Sequence, residues 1–313
     1  MNFRSLFAAA RPTVAVGIAP DRVTAIAVAR HGDAQVVTAH GAEPLPPGAV
    51  EPQLTAGNIA DRAAVVAALR RVFERIGQRP SRVALAVPDT SAKVSLFRFE
   101  KVPARGDDLE QLIRWQLKKA APFKVEEGQV SWSRGVALDG GGREFVVVLA
   151  RRDVVREYES VCAEVGAHPG LVDLASFGVI DAALAATQPT ADWLLVHVTA
   201  GYASIAILRG QDLIFYRNRA EEADGDLAGL VHQTAMYHED RLGGAQFAKV
   251  VLVVGATPRG GTESGDSLRR GLEERLRTGV ELLAADRLRF GDRVSTDRAA
   301  LDLYAPLMGL LLR

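Results

Sequence analysis

The sequence predicts an α/β protein made of two copies of one unit, a three-strand β-meander that feeds a helix and a further strand. Three observations carry this. Strand-like stretches open the chain at "TVAVGIA", "VTAIAVAR" and "AQVVTAH". A similar meander returns at "ADWLLVHVTAGYASIAILRGQDLIFYRNRA", with strands at 193–198, 204–208 and 213–217 and turns around Gly201 and Gly210. Each meander precedes a helix and a buried strand: "DRAAVVAALRRVFERIG" then "RVALAVP", and "DLAGLVHQTAMYHEDRLGG" then "KVVLVVG". The repeat is visible in pattern more than in identity.

The elements follow in order. In the first helix Val65, Val66, Leu69, Val72, Phe73 and Ile76 share one face, with Asp61 as its start and Gly77 as its stop. Pro88 closes the next strand. "KVSLFRFEKV" alternates, with Val94, Leu96 and Arg98 opposite Ser95, Phe97 and Phe99. "DDLEQLIRWQLKKA" reads as a helix with capping-box spacing at Asp107 and Glu110 and a stripe of Leu109, Leu112, Ile113 and Leu117. Two strands joined at Gly140-Gly141-Gly142 come next, then an amphipathic helix ending at Gly166. A strand and a helix in "AHPGLVDLASFGVIDAALA" link to the second meander. "ATPRGGTESGD" reads as a surface loop, and "ALDLYAPLMGLLLR" as an apolar helix kinked or restarted at Pro306.

Composition narrows the class. With 313 residues the chain has room for two domains. Lys plus Arg equals Asp plus Glu, 38 against 38, so no general pull toward nucleic acid or anionic lipid is expected. A single cysteine, Cys162, excludes a disulfide framework and any multi-cysteine zinc site, and its helical apolar position marks a core thiol. No apolar run approaches the roughly 18 residues that span a bilayer, and Arg4 interrupts the short apolar start, so a cytoplasmic protein is expected. Phe3, Leu6 and Phe7 fit one side of a short helix packed on its own domain.

Site motifs are scarce. His232 and His238 lie six apart, too far round a helix to share a face, and His168 and His197 are distant; no metal-ligand spacing appears. No GxSxG, P-loop or GxGxxG stands in a strand–turn–helix context. The basic pairs, Lys118-Lys119 among them, read as solvated helix faces. No catalytic residue and no metal ligand is assigned.

The duplicated unit resembles the actin and FtsA superfamily, and more specifically the PilM family of type IV pilus assembly, with related cytoplasmic regions in GspL and MshI. The likeness is carried by "VALAVPDTSAKVSLFRFEKVP", by "DLEQLIRWQLKKAAPFKVEEGQVSW" and by "REFVVVLARRDVVREYESVCAEVGAHPGLVDLASFGVIDA". It implies an actin-like, ribonuclease H-like fold. The first subdomain would comprise 1–89 and 172–190, an inserted PilM/FtsA-type subdomain 90–171, and the second 191–313. The usual helical insertion, here about 220–247, would be reduced to one helix. It also implies a partner, a PilN-like membrane protein whose N-terminal tail enters the cleft between the inserted subdomain and the first half, with other platform proteins as further candidates. The chain would then sit at the cytoplasmic face of an inner membrane, with no span of its own.

The resemblance breaks at the nucleotide motifs. Where the family reads "GIDIGSSSVK", this chain has Gly17 for the acid, Ala19 for the glycine and Thr24 for the lysine. Where it reads "VDIGATST", the chain has His197 for the aspartate and Thr199 for the glycine; in "LxGGA" the first glycine is Val254, before Gly255. Mg-ATP needs free amides on glycine turns and carboxylates for metal waters. Ala19-Pro20 removes an amide and both acids are absent. The expectation is a scaffold of a pilus or type II secretion platform with no cofactor. The second reading is an active ATPase or kinase with a rebuilt site, in which Asp21, Thr24 and Thr199 hold ATP and magnesium. The expected peptide groove is apolar: Phe97, Phe99, Ile113, Leu117 and Phe123.

Overall fold

The computed structural model describes residues 12–31, 34–186, 189–220, 226–255, 265–283, 289–290 and 298–312. The N-terminal amphipathic segment and most of the loop following Gly255 lie outside these. β1 (Val14–Ile18), β2 (Arg22–His31) and β3 (Ala34–Pro44) form the first antiparallel meander, α1 (Arg62–Arg75) follows, and β4 (Arg82–Val87) returns parallel to β1. Asp61 caps α1 by accepting from the Ala64 amide at 2.9 Å, and Gly77 ends it at φ +64°. The inward face of α1 packs on the meander, where Glu43 of β3 is buried beneath Arg71 and Arg75.

The second meander repeats the first. β9 (Asp192–Thr199), β10 (Tyr202–Arg209) and β11 (Asp212–Ala220) precede α5 (Leu227–Leu242), and β12 (Lys249–Val254) pairs parallel with β9. Register makes the copies correspond: Gly17 faces Thr24 across β1 and β2 as His197 faces Ser204 across β9 and β10. Each sheet gains a fifth parallel strand, β8 (His168–Leu174) beside β4 and β13 (Val280–Leu282) beside β12. Among the described residues α5 is the one helix between β11 and β12. α6 (Gly265–Leu276) links β12 to β13.

Between β4 and β8 the chain builds a separate three-stranded sheet. β5 (Ala92–Phe99) and β6 (Gly128–Ala137) flank β7 (Arg143–Arg151), and α2 (Gly106–Lys118) covers one face. α3 (Arg152–Ala163) then packs on the first sheet. The expected capping box does not form: α2 begins at Gly106 after Arg105, without a side-chain cap, so Asp107 lies inside the first turn. There it complements the helix dipole, and Glu110 pairs instead with Arg114 at 2.9 Å. Cys162 is buried, and burial pushes its thiol up to about 12.

The tail corrects the expected second subdomain of 191–313. β14 (Arg289–Phe290) pairs with β3, and α7 (Arg298–Leu312) lies on β1, β2 and β4. Tyr304, Leu307, Met308 and Leu311 bury against Ala15, Ile26 and Ala86 of the first half. An apolar stripe so wide is stable only where apolar strands await it. α7 crosses α4 (Ala175–Ala186) with glycines at the contact: a Cβ at Gly178 would overlap the Pro306 carbonyl, and one at Gly309 would overlap the Gly178 carbonyl. Gly178→Val forces these backbones apart, and overpacking of this kind costs about 1–3 kcal/mol. Urea unfolding of the variant is expected to show that loss, while the same exchange at exposed Gly279, where a Cβ meets nothing within 4 Å, is expected to cost much less.

Candidate functional site

Six of the seven positions expected at a nucleotide site converge. Gly17, Ala19, Thr24, His197, Thr199 and Gly255 line one cavity between the two halves; Val254 instead packs on the core of the second. The cavity is small, about 50 Å³, which at about 10–15 Å³ each admits a few waters. Three features shape it. The bends of the two hairpins come near each other: a Cβ added at Gly201 would lie 3.9 Å from Pro20 Cγ. A Cβ at Gly17 would stand 2.7 Å from Thr24 Oγ1 and 3.2 Å from Leu307 Cδ2, so an acid at this position has no room. α7 supplies Leu303, Pro306 and Leu307 to the wall, and Asp302 takes the Val254 amide at 3.3 Å over the end of β12. Asp21 is engaged by Arg22 through Nε at 2.8 Å and Nη2 at 2.6 Å. Among the described residues no cluster of three metal-ligating side chains occurs. The residues present are a poor match to Mg-ATP: of the acids at this cavity, Asp21 is held by Arg22 and Asp302 accepts the Val254 amide.

Behind this cavity lies a buried polar hub that sequence reading missed. Asp89 sits in the short 3₁₀ turn Asp89–Ser91 between β4 and β5, fully buried. Its carboxylate accepts from the Ser176 amide at 3.0 Å, from the Ser176 hydroxyl, and from Ser204 Oγ at 2.6 Å. Asn218 donates to its main-chain carbonyl at 2.9 Å, and Tyr216 donates to Ser204 Oγ at 3.3 Å. His197 Nδ1 lies 2.8 Å from Ser176 Oγ. Because the Ser176 proton is directed at Asp89, Nδ1 carries the imidazole proton and donates it to Ser176. Burial holds His197 below its usual range, against the opposing charge of Asp89, and raises Tyr202 and Tyr216. The hub is Asp–Ser–His with serine in the middle, so the Ser176 hydroxyl is committed to Asp89 and is not a free proton source for the imidazole.

A second cavity, about 80 Å³, opens on the other side of the same turn, between the three-stranded sheet and the first half. One wall is the sheet face of Ala92, Gln129, Ser131, Val148 and Ala150; the other is Val154 and Tyr158 of α3 with Val172, Asp173 and Leu174 of β8. β8 and β6 are edge strands of their sheets. None of the five residues expected to line a peptide groove lines this cavity. Ile113 and Leu117 are 0 % exposed, in the core that α2 makes with Phe145 and Leu149, and Phe97, Phe99 and Phe123 pack on that core. Side chains alternate across a strand, so this apolar face is turned away from the cleft. The correction is that Ile113 and Leu117 offer no surface to a peptide.

With this geometry established, the comparisons become informative. A family model described as type IV pilus assembly protein PilM matches residues 15–225. The chain belongs to this family. No curated protein matches the sequence significantly. Among solved structures, a chain of a PilM–PilN type IV pilus biogenesis complex is 17% identical, with 96% of this chain and 97% of that one covered at a TM-score of 0.81. A protein of Bacteroides thetaiotaomicron with an actin-like ATPase fold is 11% identical, with 95% of each chain covered at 0.51. The cytoplasmic domain of EpsL from Vibrio cholerae, 13% identical over 95% of this chain and 92% of that one, reaches 0.47. The first two establish that this PilM-family chain has the actin-like fold.

In this PilM-family chain the neutral His197 has a pH signature. Unfolded histidine titrates near 6.5. Below that the unfolded state gains a proton that buried His197 refuses, so stability falls on acidification, by at most about 1.4 kcal/mol per pH unit. His197→Asn keeps a donor toward Ser176 and removes the titration. Urea unfolding is expected to show the stability gap between the parent and the variant narrowing from pH 7 to pH 5; a constant gap would count against a neutral buried imidazole.

Proposed function

We propose that the chain is a non-catalytic scaffold of an inner-membrane assembly platform in a pilus or type II secretion system. On this reading it binds the N-terminal cytoplasmic tail of a PilN-like membrane protein, and so is peripheral at the cytoplasmic face. The observation that carries the proposal is the cleft between the three-stranded sheet and the first half, whose walls come in part from β6 and β8, each an edge strand of its sheet. An extended tail gains main-chain hydrogen bonds from a strand edge and places alternate side chains on the apolar walls. Val148, Ala150, Val154 and Val172 provide those walls, and Ser131, Gln129 and Asp173 the polar ones. The matched complex, which by its description joins PilM and PilN, supports the partner class. No helix of the described residues is long and apolar enough to cross a membrane, which fits tethering through a partner.

The tail reading is tested by calorimetric titration of a peptide copying the N-terminal cytoplasmic tail of a PilN-type protein encoded beside this chain. Val148→Lys or Val172→Lys, in the cleft wall, is expected to weaken binding at least tenfold. Phe99→Ala, behind the sheet, is expected to leave it within about threefold once the variant is shown to fold. No binding by the parent, or equal binding by the cleft variants, overturns the assignment.

The nucleotide reading is tested separately. Titration with Mg-ATP is expected to give no heat at micromolar concentrations and no phosphate release. Micromolar binding would favour the rebuilt-site reading, which requires Asp21 to leave Arg22 for a metal.

A further inference from the structure

We propose that the outer face of α2 and the loop after it form a contact surface for an anionic lipid bilayer. The inference stands on this chain alone and does not rest on the partner cleft. Leu109, Ile113 and Leu117 turn inward, which leaves Trp115 on the opposite side of the helix, 56 % exposed and the most exposed large apolar side chain among the described residues. Lys119, one turn on, holds its Nζ 3.7 Å from the Trp115 ring centre. An exposed indole beside an ammonium suits the headgroup layer, where the ring rests at the apolar boundary and the cation reaches phosphate.

Charge is segregated to match. Residues 111–125 contain Arg114, Lys118, Lys119 and Lys124 and no acid. Two cations from neighbouring elements join them: Lys93 Nζ donates to the Ala120 carbonyl at 2.6 Å, and Arg152 donates to the carbonyls of Glu126 and Gly128 at 3.2 Å each. The acids nearby are Glu110, paired with Arg114, Glu126, paired with Lys118 at 2.7 Å, and Glu127. Arg151 and Asp153 pair with each other and cancel. Asp107 and Asp108, also exposed, stand in the first turn of α2, at the far end from Lys118 and Lys119. Over the whole face six cations meet five acids; at the C-terminal end of α2 and the loop after it, Lys93, Lys118, Lys119, Lys124 and Arg152 meet only Glu126 and Glu127, so the positive excess is confined to that end. A local excess acts only within about one Debye length, roughly 8–10 Å, so it is felt by a charged plane brought against it. One indole and a few lysines give weak, reversible adsorption, strengthened when a tether keeps the bilayer near.

The test uses the full chain with vesicles of phosphatidylglycerol and phosphatidylcholine, and with phosphatidylcholine alone, at low ionic strength. Co-sedimentation measures partition, and tryptophan emission reports the indole, since Trp193 is buried and Trp132 partly so. Expected are partition onto the anionic vesicles only, a blue shift absent in Trp115→Phe, and weakening by salt. At about fivefold per lysine, the double variant Lys118→Glu, Lys119→Glu is expected to partition about 25-fold less or worse, and Trp115→Ala about tenfold less. These positions are exposed, and unchanged melting curves would confirm folding. Absence of partition, equal partition onto neutral vesicles, or undiminished partition by the variants overturns the proposal. So does a Trp115 shift produced by polyglutamate but not by vesicles, which would assign the face to an acidic polypeptide.

Discussion

The Asp89 carboxylate is buried where the first half, the inserted sheet and the second half meet, and its partners there are hydroxyls and amides. Burying a carboxylate costs several kcal/mol. A hydrogen bond to a charged group returns about 1.5–3 kcal/mol, so three of them offset a penalty of that order only if all are kept. Ser176, in the first turn of α4, supplies two of the three bonds to the carboxylate and Ser204 on β10 the third, while Asn218 on β11 holds the Asp89 main-chain carbonyl. Drawing α4 or the second half away from the end of β4 would therefore break bonds to a buried carboxylate. Gly178, two residues beyond Ser176, lets α7 close on α4 and set the same helix against both halves.

This hub also relates the two cavities. Val87 and Pro88 face the cavity between the two halves; Val87, Ser91 and Ala92 face the cleft beside the three-stranded sheet, with Asp89 between them. Ser91 is tied to Asn58 at 3.2 Å and lies 3.4 Å from the Tyr158 hydroxyl, so the cleft side of the turn is pinned to α3 and to the loop before α1. An occupant of the cleft would thus rest on a wall that the hub already fixes, which lowers the ordering cost of binding.

Much of the frame was legible because it is written in local periodicity. The meanders, α1 with its Asp61 cap, and α3 all follow from apolar spacing. What failed depends on contacts between distant residues. Spacing shows that Phe97 and Phe99 share a face but not which face is already covered, and α2 covers theirs. Asp89 stands in "VPDTS", an ordinary turn by composition; its partners are 87 and 115 residues away. The tail reads as an apolar helix, yet nothing local states that its partner strands open the chain.

The altered motif residues also prove to be interdependent. Gly17 is the residue that fits between Thr24 and Leu307. Restoring an acid at position 17 would therefore first meet the Thr24 hydroxyl and Leu307, which would have to give way. At position 197 the constraint is electrostatic. An aspartate there would face Asp89 across the single Ser176 hydroxyl, and two buried carboxylates sharing one proton donor repel. A neutral imidazole donates to Ser176 instead and extends the chain of hydrogen bonds that ends on Asp89. With Asp89 committed to joining the bodies, position 197 requires a neutral donor, and the carboxylate of an actin-type phosphate hairpin is incompatible with this hub.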